Sequence, residues 1–187
     1  MAEFTLFSTA IGDCGIAWED DAVVAASLPA DNWDATARRL KAKSGGVEAS
    51  PPMAVRNAID AVVALLNGEP SDLSGITCVF DGTDVFAEQV YALARAIPPG
   101  ETTTYGAIAT ELGDIAYARR VGQALGRNPI PIIVPCHRVI GSDGKLVGFS
   151  ADGGVTTKLR MLEIEGALTE ETPSLFDDMP FSLKPRR

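Results

Sequence analysis

The chain has 187 residues, 46% of them apolar and 22% charged, with a net charge of -9; it can bury the core of one ordinary domain or two small ones, and is too apolar to be mostly disordered. Its apolar runs, such as 61–66, are far too short to cross a bilayer, and no basic residue precedes an apolar stretch in the first eleven residues as in a signal peptide, so a cytoplasmic protein with no membrane contact is expected. Three widely spaced cysteines and a single histidine form neither a disulfide framework nor a zinc pattern, and no metal or cofactor is expected.

Residues 4–9, 15–18 and 23–28 read as short strands separated by Gly-Asp and Asp-Asp turns. A helix is predicted over 35–42, then a break at Ser44-Gly45-Gly46, then a helix over 53–66 closed by Asn67-Gly68. This predicts an α+β fold beginning with an N-terminal α/β domain over 1–81. Past a boundary near 81–84 the pattern becomes helical: 85–97 stopped by Pro98-Pro99-Gly100, 104–112 stopped by Gly113, and 115–126 stopped before Pro129. Two short helices around a glycine turn predict a helix-turn-helix within a domain over 82–168. The remainder, 169–187, is rich in Pro, Glu and Asp and predicts a flexible acidic tail.

A net negative charge argues against a nucleic-acid partner, but the charge is uneven. Residues 1–81 hold 5 basic and 12 acidic side chains, residues 82–168 hold 8 and 9, and between Ile115 and Arg138 there are four arginines and no carboxylate. On a helical wheel Arg119, Arg120, Gln123 and Arg127 fall on one arc while Ala118, Val121 and Leu125 lie opposite. One face packs and the other is cationic, as a helix entering a DNA groove requires; Arg138 adds to the same basic surface. The low overall basic content predicts modest affinity with a shallow salt dependence.

After this helix, prolines at 129, 131 and 135 predict an extended, stiffened segment that delivers Cys136 to a fixed place. A rigid loop holding a thiol points to a nucleophile, its pKa lowered by His137, Arg138 and nearby backbone dipoles. Cys14 and Cys78 read as small buried hydrophobes. Adjacent residues of an extended segment face opposite ways, so His137 is not expected to touch the Cys136 sulfur directly. If 155–165 is a helix ended by Gly166, Glu165 lies beside the apolar stripe and needs a partner, and Lys158 projects to the same side.

Pro135-Cys136-His137-Arg138-Val139, preceded by Gly126-Arg127-Asn128-Pro129 and followed by Gly148-Phe149-Ser150, resembles the signature of the O6-alkylguanine-DNA alkyltransferases. The resemblance covers residues 84–168 and is weak over 1–81. It implies a small N-terminal ribonuclease-H-like domain and a C-terminal helical, winged-helix-like domain. It also implies that double-stranded DNA carrying O6-alkylguanine, and in one reading O4-alkylthymine, is the partner of a monomer. Cys136 would take the alkyl group once, from a base flipped out of the duplex, and keep it.

By register Arg119 is the arginine that fills the vacated place; Arg120, where the family usually carries a small residue, is the other candidate. Tyr105 matches the tyrosine that donates to N3 of the leaving guanine, and Asn128 the hinge asparagine. His137 and Glu165 match the pair that relays the thiol proton through a water. The carbonyls of Cys136 and Val139 and the Ser150 amide would hold the base against Phe149. Leu175 and Phe176, followed by two aspartates, resemble a sliding-clamp peptide. A non-catalytic lesion sensor on the same scaffold is the alternative, but such relatives lack the nucleophilic cysteine that is present here. A cysteine hydrolase is ranked last, since its Cys–His contact is awkward between chain neighbours.

Overall fold

Alternating Phe4 and Leu6 turn inward from strand β1 (Glu3–Thr9), which pairs antiparallel with β2 (Gly12–Glu19), itself antiparallel to β3 (Ala22–Ser27). In the computed structural model, which describes residues 1–144, 146, 154–169 and 182–183, a short strand β4 (Val47–Glu48) adds parallel to β1 and completes the order β3-β2-β1-β4. Helix α1 (Trp33–Ser44) is started by Asn32, whose side chain accepts from the Ala35 N–H at 2.9 Å, and stopped by Gly45 at φ 65°. Its Leu40 packs with Phe4, Leu6, Ala17 and Ala25 to make the core of this sheet. A Cβ on Gly15 would lie 2.5 Å from Leu6 and 2.7 Å from Leu40, so helix and sheet approach this closely only over a glycine. Helix α2 (Met53–Leu66) packs on β1 and β3.

The chain divides into two units, Met1–Thr83 with Pro129–Val134, and Asp84–Asn128 with Pro135–Arg187. The expected 82–168 domain was continuous; instead Pro129–Val134 joins the first unit, where the Pro129 carbonyl accepts the Ala26 N–H at 2.9 Å. Nor is this segment extended. The Val134 N–H bonds back to the Ile130 carbonyl at 2.9 Å and Ile132 adopts φ 76°, a costly value for a β-branched residue, so the chain reverses here. Prolines disfavour a central strand but do not by themselves demand an extended run.

In the second unit Asp84 caps α3 (Val85–Arg95), accepting from the Ala87 N–H at 2.9 Å. Strand β5 (Thr103–Thr104) runs into α4 (Tyr105–Glu111), capped by Thr104; Gly113 at φ 110° breaks the chain, and a 3-10 turn over Ile115–Tyr117 leads into α5 (Ala118–Gly126). Helices α3, α4 and α5 pack together around the buried Val90, Ala94, Ile108, Ala109, Val121 and Leu125. Cys136–Arg138 form another 3-10 turn, followed by β6 (Val139–Ile140), and α6 (Gly154–Ile164) ends at Gly166, φ 68°. Strand β7 (Leu168–Thr169) pairs antiparallel with β8 (Ser182–Leu183), so part of the expected flexible tail returns to the end of α6. Among the described residues no helix is long and apolar enough to cross a membrane.

Candidate active site

Two residues of parallel pairing set the site. Thr103 pairs with Val139 and Thr104 with Ile140. Because α4 starts at the next residue and the 3-10 turn ends at the one before, this ladder places Tyr105 beside the turn that carries Cys136. Cys136 retains 9% of its surface. Burial, with the Cys136 sulfur adding to it, pushes the Tyr105 hydroxyl up to about 12, so Tyr105 stays a proton donor throughout the physiological range. Tyr91, buried on α3 and donating to the Ala124 carbonyl at 3.0 Å, is raised to about 12 by burial and by the same sulfur.

His137 and Arg138 point at Glu165, the residue after α6. The His137 Nε2 lies 2.9 Å from Glu165 Oε1. Arg138 donates from Nε to Oε2 at 2.9 Å and from a terminal nitrogen to Oε1 at 2.8 Å, a two-pronged clasp, while its other terminal nitrogen donates to the Ile97 carbonyl at 2.6 Å. Burial alone would raise the Glu165 carboxyl; His137 and Arg138 reverse this and hold it near 2. An ionised carboxylate only accepts, so the network assigns the proton of neutral His137 to Nε2 and leaves a lone pair on Nδ1. Nδ1 is buried with no hydrogen-bond partner among the described residues. Burial also lowers the His137 pKa, against the pull of Glu165, so the ring is neutral.

This arrangement corrects two expectations. Arg138 is not on the basic surface: it is 5% exposed and committed to Glu165 and Ile97. The argument that His137 and Cys136 face opposite ways does not apply, because a 3-10 turn spaces successive side chains by about 120° rather than alternating them. Lys158, for its part, is 0% exposed and donates to the Val139 carbonyl at 2.6 Å. Burial lowers its pKa to about 8, opposed by the neighbouring Cys136 sulfur.

The face of α5 is built as its wheel predicts. Val121 and Leu125 are buried, with Ala124 beside them, and Ala118 is half-buried; Arg119, Arg120, Gln123 and Arg127 are exposed. Asn128 follows directly, half-buried, its N–H donating to the Leu125 carbonyl at 3.3 Å. Tyr105 and this helix come close at Gly122, where a Cβ would sit 3.8 Å from the Tyr105 ring. The nucleophile's partners and the arginine face therefore belong to one unit.

A family model described as 6-O-methylguanine DNA methyltransferase, DNA binding domain, matches residues 85–167. The chain is 36% identical over 158 residues to the methylated-DNA–protein-cysteine methyltransferase of Methanothermobacter thermautotrophicus, covering 84% of this chain and 82% of that one. It belongs to the methylated-DNA–protein-cysteine methyltransferase family. Its Mycobacterium tuberculosis relative of the same name is 43% identical over 126 residues, 67% of this chain and 74% of that one. The crystal structure of the Mycobacterium tuberculosis O6-methylguanine methyltransferase superposes with a TM-score of 0.73 at 33% identity, covering 95% of this chain and all of that one (100%). For the Mycobacterium tuberculosis protein crystallised in complex with DNA the TM-score is 0.72 at 33% identity, covering 88% and 92%.

Against this methyltransferase framework, Phe149, Ser150, Leu175 and Phe176 lie outside the described residues. Val139 is buried, and its carbonyl is the one Lys158 holds. Cys14 is buried and pushed up to about 12 by burial, and Cys78 is half-buried, its thiol 3.6 Å from the Ile76 carbonyl. The side chains that sequence reasoning placed wrongly or passed over are Arg138, Lys158 and Tyr91. For Lys158 the signal was present, a lysine on the apolar side of its helix; for Arg138 only the pairing across 27 residues reveals it.

Proposed function

We propose that this methyltransferase repairs DNA by direct, single-turnover transfer of the alkyl group from O6 of an alkylated guanine in double-stranded DNA to Cys136, as a cytoplasmic monomer. The observation that carries the reading is the 2.9 Å contact of His137 Nε2 with an ionised Glu165, which leaves Nδ1 a base next in the chain to the thiol. The Cys136 proton passes through a bridging water to Nδ1, and the thiolate attacks the alkyl carbon in line with the C–O6 bond. That bond breaks with its electron pair going to the guanine, and Tyr105 donates to N3 as the charge develops, general acid catalysis typically worth about 10² to 10⁴ in rate. The resulting thioether is stable, so the protein is consumed.

A base inside a duplex is out of reach, so the lesion is everted. Arg119, exposed at the start of α5, fills the vacated stack; Gln123 and Arg127 line the same face. Asn128 hinges the chain between the arginine helix and the turn that leads to Cys136. The Cys136 and Val139 carbonyls receive the exocyclic amine. O4-alkylthymine carries an equivalent alkyl–oxygen bond and is a second substrate of the same chemistry. The fold that serves this is a ribonuclease-H-like first domain and a winged-helix-like second one.

The test is incubation with an O6-methylguanine oligonucleotide followed by intact-mass and peptide analysis. One methyl on the Cys136 peptide, saturating at one per chain, is expected; modification elsewhere, or turnover without modification, overturns the reading.

A further inference from the structure

Arg119 and Arg120 are neighbours on α5, but the structure holds them differently. Arg119 is exposed. Arg120 lies with its guanidinium carbon 3.8 Å from the centroid of the Phe86 ring, and one terminal nitrogen is 3.8 Å from Asp84 Oδ1. Tyr117 meets the same ring edge-on, 5.7 Å between centroids and 84° between planes. The Arg120 and Asp84 side chains are 54% and 68% exposed. We propose that Arg120 is a pre-oriented ligand for a DNA backbone phosphate, and that Asp84 is the carboxylate the phosphate displaces. The inference rests on the duplex-DNA reading above.

Stacking covers one face of the guanidinium and leaves the N–H groups in its plane available, and that fork fits phosphate as well as it fits carboxylate. An ion pair at 3.8 Å between half-exposed groups is beyond hydrogen-bond length and holds weakly. The carboxylate is also tied elsewhere, since Asp84 Oδ1 accepts the Ala87 N–H at 2.9 Å as the cap of α3, so it cannot follow the arginine outward. Phe86 performs the ordering in advance: a guanidinium already stacked loses less rotamer freedom on meeting its anion than a free one. The first turns of two helices, α3 with Asp84 and Phe86 and α5 with Arg120, meet at this point, and their amide dipoles favour an anion there. The division of labour follows. Arg119, without an ion pair or ring contact among the described residues, is left for the base stack, and Arg120 takes the backbone.

The experiment is the affinity of the full chain for an undamaged duplex, by fluorescence anisotropy across a sodium chloride series, for wild type, Arg120→Ala, Arg120→Lys and Asp84→Asn. Asparagine caps a helix about as well as aspartate, so the last variant removes the charge and keeps α3 started. Arg120→Ala is expected to weaken binding several-fold and to flatten the slope of log K against log salt by about 0.9, the signature of one lost phosphate contact. Arg120→Lys keeps the slope but not the full affinity. Asp84→Asn tightens binding by roughly twofold to fivefold at low salt, as expected for one exposed ion pair released. An Arg120→Ala slope equal to wild type, or weaker binding by Asp84→Asn, overturns the proposal. A merely structural stack would instead lower the unfolding midpoint of both Arg120 variants and leave the slope where it was. Absence of methyl transfer to Cys136 would sink the repair reading without touching this slope measurement, whereas normal transfer with an unchanged slope sinks the phosphate ligand alone.

Discussion

Four arginines between Ile115 and Arg138 look alike in the sequence and are used in two opposite ways. Arg119 and Arg120 on α5 and Arg127 just past its end are exposed, Arg120 with one side against Phe86. Arg138, eleven residues past Arg127, is buried and clasped to Glu165 with both oxygens engaged. An exposed arginine acts over a screened distance of about 8–10 Å and steers an anion without costing the fold much. A buried one is repaid only by a complete set of partners, and what it supplies in return is a fixed carboxylate that fixes a histidine. Local charge density therefore says little about which arginines face DNA; the location of the nearest buried carboxylate decides it.

The largest effect expected is the sharpest separation of the two regions. Cys136→Ala abolishes alkyl transfer completely, while binding to a lesion-bearing duplex persists, because the α5 face is untouched; a gel shift and a transfer assay on one preparation read both. Tyr105→Phe removes the donor but leaves the ring against α5, so single-turnover transfer slows by about 10² to 10⁴ with duplex affinity held. Equal loss in both assays would mean that Tyr105 serves packing and not the leaving group.

Buried and exposed arginines are separated by a matched pair of variants. Arg138→Ala leaves Glu165 buried without its clasp, and removing one partner of a buried ion pair costs about 3–5 kcal/mol. Arg127→Ala, on the exposed face, is expected to change stability by no more than about 0.5 kcal/mol while weakening DNA binding. Urea unfolding of the two variants side by side measures this. Similar losses would put Arg138 and Arg127 in one class after all.

Periodicity made the elements legible: α2 runs over the very residues expected, Met53–Leu66, and α5 buries and exposes the sides its wheel assigns. Two-residue strands were not legible. Val47–Glu48 and Thr103–Thr104 carry no pattern of their own and exist only through a partner strand, yet the second of them is what sets Tyr105 beside the nucleophile. The turn at Cys136–Arg138 was misread as extended because proline removes options without choosing among those left. Motif residues, the His137–Glu165 pair among them, could be named from the resemblance, whereas the clasp of Arg138 on Glu165 and the hold of Lys158 on the Val139 carbonyl depend on separations of 27 and 19 residues that only folding closes.

The buried cluster also titrates in ways that stability can report. Glu165 is held near 2, so its contribution is present above about 4.5 and is lost as pH falls toward 2; His137, lowered by burial, adds a decline that begins below about 6.5, where the unfolded ring takes a proton the folded one refuses. Lys158 acts with the same sign, in the alkaline range where neither of these groups titrates. Its folded value of about 8 lies below the 10.5 of an unfolded lysine, so between these the unfolded chain binds the extra proton and stability rises with pH, by about 1.4 kcal/mol per unit at most. The window closes from above: past pH 9 Cys14, and past pH 10 Tyr91 and Tyr105, all raised to about 12, keep protons that the unfolded chain gives up, and stability then falls. Between pH 8 and 9 the wild type is accordingly expected to gain about 1 kcal/mol in urea unfolding, and Lys158→Met to lose that rise. A wild type that weakens over this interval in parallel with the variant would mean that Lys158 is charged in the folded protein well above pH 8, and that the Val139 carbonyl is held by a permanent ammonium.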